Sequence, residues 1–198
     1  MKNLELSKAD QRRIKKLEDA LHALKEGQEK YFFITKLTSI KTLCKAPDIA
    51  NQFALYLSEL TLKKVDSSPC PEYTDPKDWE KYKKIIKRSV ELMNKFIKDP
   101  IEKNLSSLRV LLDKVQSIQN KTRSGPYGTI IRTINSKDVL VIEDSIHCML
   151  YTDNTPYWTY KLARDYTEKY NSSYGTGLIP ESIPMLEDII SFFKNTTK

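Results

Sequence analysis

The chain has 198 residues, of which 39% are hydrophobic and 30% charged, and its formal net charge is +7. A chain of this size and balance forms a hydrophobic core, which excludes disordered and fibrous proteins. No apolar run reaches the roughly 20 residues that a membrane-spanning helix needs, and the N-terminus lacks the apolar stretch of a secretion signal. We therefore expect a helix-rich cytoplasmic protein without a membrane partner.

The positive charge is concentrated in the first half of the chain. Residues 1–99 hold 21 basic against 15 acidic residues, whereas residues 100–198 hold 12 against 11. The cations of two predicted helices could adjoin and form a patch for phosphate contacts. A nucleic-acid-associated protein is therefore one alternative. Its candidate contact residues are Arg12, Arg13, Lys83, Lys84, Lys87 and Arg88.

The first two predicted helices are separated by Gly27. Ser7 and Asp10 form a capping-box-like start for the first one. The apolar stripes are Ile14, Leu17, Leu21 and Leu24, and then Phe33, Leu37, Ile40 and Cys44. The two stripes are out of phase, so a bend or break near Gly27 is predicted if both face one core.

Three more helices are predicted before residue 120. Pro47 fits the first position of one, and the pairs at 75–76 and 99–100 each combine an Asp cap with a proline. An irregular segment at residues 66–76, which contains three prolines, separates the first two of them. Their inward residues are Ile49 or Ala50, Phe53, Leu57 and Leu60; Tyr82, Ile86, Val90, Met93 and Ile97; and Ile101, Leu105, Leu108, Leu112 and Val115.

The last third of the chain has a different pattern. The runs TIIRTI (129–134) and DVLVIE (138–143) are rich in β-branched residues, which predicts a β-hairpin with a longer loop. Residues 145–151 fit either an extension of the second strand or the start of a helix. Two helices should follow, one beginning at Thr155 and Pro156 and one covering about residues 185–194.

These elements predict a mainly α fold with α+β character in its C-terminal third. Residues 1–120 should form a bundle of four to five helices. Residues 121–198 should add a small β-hairpin and two helices packed on that bundle, in one compact domain.

Two related hexapeptides, LEDALH (17–22) and IEDSIH (142–147), contain both histidines of the chain. Carboxylate and imidazole groups at this spacing can hold a metal between helices. However, the leucine stripe of the first helix turns Asp19 and His22 toward water, where His22 should pair with Glu18. The three cysteines include no C-x-x-C pair. We therefore predict no metal and no cofactor.

An enzyme is a second alternative. The familiar short catalytic and nucleotide-binding motifs are absent. A pocket would have to be formed by Glu143, Asp144, His147 and the YGTG loop at 174–177, where carboxylates beside an imidazole could transfer protons.

The C-terminal region is rich in aromatic residues, namely Tyr151, Tyr157, Trp158, Tyr160, Tyr166, Tyr170 and Tyr174. Most of these rings should join the last helices to the bundle, but Tyr and Trp are also favoured at partner surfaces. Tyr157, Trp158 and Tyr174 are the candidate partner contacts. The first hypothesis is therefore a non-enzymatic helical binding or regulatory protein that contacts another protein.

Overall fold

The computed structural model describes residues 7–27, 33–72, 74–119, 122–124, 130–132, 136–167, 169–171, 175–177 and 182–196. The helices within these ranges are α1 (Lys8–Lys25), α2 (Phe33–Leu43), α3 (Pro47–Ser67), α4 (Pro76–Lys98), α5 (Glu102–Gln119), α6 (Ser136–Leu150), α7 (Thr155–Thr167) and α8 (Ile183–Asn195). A short 3-10 turn, Thr152–Asn154, connects α6 to α7.

Helices α1, α3 and α4 begin where the sequence predicts capping, whereas α5 begins at Glu102, two residues after the predicted start at Pro100. The Ser7 hydroxyl accepts a hydrogen bond of 3.1 Å from the Asp10 N–H at the start of α1. The Asp75 carboxylate accepts one of 2.7 Å from the Lys77 N–H at the start of α4. Pro47 occupies the first turn of α3, where its missing N–H costs no intrahelical bond.

The predicted apolar faces of the first five helices are confirmed in the main. Ile101 is an exception, because it precedes α5 and is 47% exposed, whereas the sequence predicts that it faces the core. The buried residues of these faces include Ile14, Leu17, Leu24, Leu37, Ile40, Cys44, Phe53, Leu57, Tyr82, Ile86, Met93, Leu108, Leu112 and Val115. In α1, Ala20 is buried and Leu21 only partly so, and the face is therefore turned slightly from the predicted one. Gly27 has a φ of 72°, a left-handed conformation that ends α1 before α2 begins.

The predicted β-hairpin and the α+β class are wrong. The run DVLVIE lies in α6, and residues 145–150 continue the same helix. This helix is buried on nearly all sides, as its residues Val139, Val141, Ile142, Asp144, Ser145, Ile146, Cys148 and Met149 show. A helix that is covered all round has no one-sided apolar stripe, so its β-branched run resembled a buried strand.

Extended pairing is confined, in the ranges described, to segments of three residues. Thr122–Ser124 pairs antiparallel with Ile130–Arg132, and Lys169–Asn171 pairs antiparallel with Gly175–Gly177. Neither pair forms a layer of the fold. The architecture is therefore helical.

The centre of the fold is formed by α3 and α6. Helix α6 packs against α3, α4, α5 and α7, while α3 also contacts α4, α7 and α8. Helix α1 packs on α2 and α8, and α2 also packs on α7. None of the described helices has the length and apolar content needed to cross a bilayer.

The central position of α6 predicts a large effect of truncation there. Ile142→Ala, at a side chain with no exposed surface, should lower the free energy of unfolding by about 2–5 kcal/mol through lost burial and a residual cavity. The matched control is Ile101→Ala, because Ile101 is 47% exposed, and it should change stability by less than about 0.5 kcal/mol. Urea unfolding of both variants measures the difference, and similar losses would contradict the central position of α6.

Candidate functional site

The end of α6 and the start of α7 bring charged and aromatic side chains together. Asp144 and His147 of α6, and Tyr151 directly after it, follow one another at intervals of three and four residues, so they lie on one side. On α7, Trp158, Lys161 and Asp165 have the same spacing. The close packing of α6 on α7 sets these two sides against each other.

A partly buried ion-pair network, formed by Asp144, Lys161 and Asp165, connects the two helices. The Lys161 ammonium donates to Asp144 Oδ1 at 2.5 Å and to Asp165 Oδ2 at 3.2 Å. Arg164 adds a contact of 3.0 Å to Asp165 from the more exposed side. Asp144 has no exposed surface, so its charge depends on Lys161 for compensation.

Burial governs the protonation of this network. Burial raises the pKa of the Asp144 carboxyl and outweighs His147 and Lys161, which act in the opposite direction. Burial alone would lower the pKa of Lys161, but Asp144 and Asp165 raise it above its ordinary value. Lys161 therefore keeps its proton, whereas the ionised form of Asp144 is disfavoured by burial.

An aromatic face, formed by His147, Tyr151, Tyr157 and Trp158, adjoins the network. The Trp158 ring centroid lies 4.1 Å from that of His147, 5.9 Å from that of Tyr151 and 5.0 Å from that of Tyr157. The Lys161 ammonium lies 5.8 Å from the Trp158 centroid. Tyr151 and Tyr157 are 45% and 46% exposed, whereas His147 is buried. The face therefore has a fixed centre and two half-exposed tyrosines.

The other described side chains of the aromatic region of α7 serve packing, as expected for most of these rings. Tyr160 and Tyr166 are partly buried against the core. The Lys41 ammonium of α2 lies 4.6 Å from the Tyr160 centroid, and the Tyr166 hydroxyl donates to Asp188 of α8 at 2.8 Å. Tyr174, the third candidate partner contact, lies outside the described residues.

The candidate catalytic residues face different neighbours. Asp144 and His147 are close, with 3.9 Å between Asp144 Oδ1 and His147 Nδ1, a separation too long for a hydrogen bond. Glu143 instead accepts a hydrogen bond of 3.0 Å from Gln116 of α5. The acidic pair at 143–144 is thus divided between two sides of α6. Neither the hydrogen bond of Glu143 nor the ion pair of Asp144 requires a substrate.

The two histidines lie in different surroundings. The His22 imidazole is 74% exposed and contacts Glu26 at 3.1 Å, one turn after it, whereas Glu18 pairs with Lys194 of α8. The predicted pairing of His22 with Glu18 is therefore wrong, although the solvent-facing orientation is correct.

Among the described side chains, no group of three or more His, Cys, Asp or Glu residues is arranged to hold a metal.

The candidate nucleic-acid contacts fall on separate helices. Arg12 is exposed on α1, and Arg13 is paired with Asp10 at 2.9 Å. On α4, Lys83 contacts Glu80 at 3.6 Å and lies over the Trp79 ring. The remaining three cations of this set, Lys84, Lys87 and Arg88, are exposed. The packing partners of α1 are α2 and α8, and those of α4 are α3, α5 and α6.

Lys161 and Asp165 were not predicted as site residues. Their spacing in the sequence does indicate that Trp158, Lys161 and Asp165 share one side of a helix, and the start of that helix is predicted correctly. The prediction of a strand at residues 138–143 is the reason that their partners were missed. It gives Asp144 and His147 no shared helical side that could face α7.

Removal of Lys161 should expose the cost of burying Asp144. Lys161→Met should destabilise the fold by about 3 kcal/mol near neutral pH, because it leaves a buried carboxylate without its cation. The folded variant then retains the Asp144 proton at pH values where the unfolded chain has lost it, because the Asp carboxyl of an unfolded chain has a pKa of about 4. Stability of the variant should therefore fall as the pH rises above about 4.

Urea unfolding between pH 4 and 8 measures this effect. Lys95→Met, at an exposed position of α4, is the control and should change little at any pH. The double variant Asp144→Asn with Lys161→Met should recover part of the loss. A loss that is the same at every pH would contradict the role given to Asp144.

No family model, curated protein or solved structure matches the chain.

Proposed function

We propose that the protein is a non-enzymatic helical binding protein that contacts another protein through the aromatic face of α6 and α7. The main support for this proposal is the exposure of two tyrosines beside a tryptophan. Tyr151 and Tyr157 are 45% and 46% exposed, and both lie against Trp158. Tyr and Trp supply large apolar area with a polar tip, and they are enriched among the residues that dominate binding energy.

The support beneath this face favours recognition over catalysis. The Trp158 ring packs against the buried His147 ring, and the neighbouring Lys161 contacts two carboxylates. Side chains that are fixed before binding lose less conformational entropy when a partner arrives. The charges of the buried Asp144 and the partly exposed Lys161 compensate each other, so their existing role is to hold the helices together.

Truncation of the exposed tyrosines tests the proposal. The double variant Tyr151→Ala with Tyr157→Ala should keep its helical circular dichroism, because both side chains are half exposed. Its retention of a partner protein from an extract of the source organism should fall about tenfold or more. Ile101→Ala, with comparable exposure in another part of the fold, should retain the partner as the unchanged protein does.

A second readout uses tryptophan fluorescence. Trp79 is buried, so Trp79→Phe leaves Trp158 as the reporter of the aromatic face. The purified partner should protect Trp158 from acrylamide quenching. Equal retention by the double tyrosine variant, or no protection of Trp158, would overturn the proposal, and loss of helicity would show that the rings belong to the core.

A further inference from the structure

A groove between α4 and α5 has a chemistry that the aromatic face does not share. It has a volume of about 450 Å³ and is open to solvent. We call its apolar lining residues, Leu92, Val110 and Leu111, the floor, and its cations, Arg88, Lys103 and Lys114, the rim. We call this feature the α4–α5 groove. All of its lining residues belong to two adjacent helices, so the packing of α4 on α5 fixes its width.

The rim of the groove is positive. No carboxylate is among its lining residues. Arg88 contacts Glu91 at 3.2 Å, but both side chains are at least half exposed, so this pair is screened by water. Among the residues that the structure describes, Lys103 and Lys114 form no ion pair. Two cations are therefore available to an acidic ligand without first breaking a contact.

The floor of the groove contains an exposed apolar residue that the fold does not require. Val110 is 57% exposed, more than any other large hydrophobic side chain described. A β-branched residue also lowers helix propensity, so Val110 gains neither burial nor helical stability at this position. Leu92 and Leu111 continue the apolar surface beneath it. An apolar side chain of a ligand would complete this contact.

The positive rim continues along α4. Lys77, Lys81 and Lys84 precede Arg88 at intervals of three and four residues, and all four are exposed on one side of the helix. Such a stripe attracts a negative partner before contact and speeds association at low salt. The positive edge is therefore longer than the groove, as an extended acidic segment would require.

We propose that the α4–α5 groove binds an acidic amphipathic segment of a partner protein. An aliphatic or aromatic side chain of that segment packs on Val110, and flanking Asp or Glu residues contact Arg88, Lys103 and Lys114. Nucleic acid fits the groove less well, because the lining residues of the groove include no aromatic side chain for base stacking. The aliphatic floor also has no group that would bind a phosphate. This inference is independent of the aromatic face.

Peptide selection on the full-length protein tests the inference. A library of random 16-residue peptides is selected on the unchanged chain, and enriched peptides are labelled and titrated by fluorescence anisotropy. Enriched sequences should be acidic and carry at least one large apolar residue. Their affinity should fall as salt rises, because charge contacts contribute to binding.

Two sets of variants separate the contributions of charge and apolar contact. Lys103→Glu with Lys114→Glu should weaken binding at least tenfold, whereas Lys87→Glu, on the same helix as Arg88 but outside the groove, should leave it unchanged. Val110→Ser should weaken binding several-fold, and Ile101→Ser is its control. Tyr157→Ala should not affect these peptides, which distinguishes the groove from the aromatic face.

Three outcomes would overturn the inference. One is failure to enrich any peptide, and another is enrichment of peptides whose binding is insensitive to the Lys103, Lys114 and Val110 changes. The third is salt-dependent binding of a 16-nucleotide RNA or DNA, or of phosphatidylserine vesicles, that needs the same cations while no acidic peptide binds. That result would assign the groove to phosphate ligands instead.

Discussion

The burial of Asp144 is the constraint on which the candidate site depends. A carboxylate without exposed surface is tolerated only beside a compensating cation, and Lys161 of α7 supplies it at 2.5 Å. This requirement fixes the rotation of α7 against α6. Trp158, one turn before Lys161 on the same side of α7, is thereby brought onto His147. The position of the aromatic face thus follows from one buried ion pair.

The connection between α6 and α7 explains why the tyrosines are exposed. The short turn between α6 and α7 places Tyr151 and Tyr157 at the edge of the helix pair, where neither can reach the core. The other described aromatic side chains in this region have partners on neighbouring helices, as Tyr160 does with Lys41 and Tyr166 with Asp188. The aromatic richness of α7 is therefore divided between packing and surface, and only the surface part is available to a partner.

The sequence predicted the amphipathic helices well and the central helix poorly, for one physical reason. Helices α1 to α5 have an apolar stripe on one side, and caps such as Ser7 and Asp75 mark their starts. Helix α6 is covered by four other helices, so its sequence carries no one-sided pattern. Asp144 and His147 lie on that helix, so their positions in the candidate site could not be predicted either. Val110, Lys103 and Lys114 belong to one correctly predicted helix, but Arg88 joins them only once α4 and α5 are packed.

Helix α6 packs against helices of both proposed binding surfaces. Adjacent residues of this helix contact different neighbours, since Glu143 contacts Gln116 of α5 while Asp144 contacts Lys161 of α7. The α4–α5 groove and the aromatic face are therefore built on different neighbours of one buried helix. Their chemistry differs as well, because one surface is cationic around an aliphatic floor and the other is aromatic around compensated charges. Partners selected by these two surfaces must differ in charge and in side-chain type, so a ligand suited to one gains little at the other.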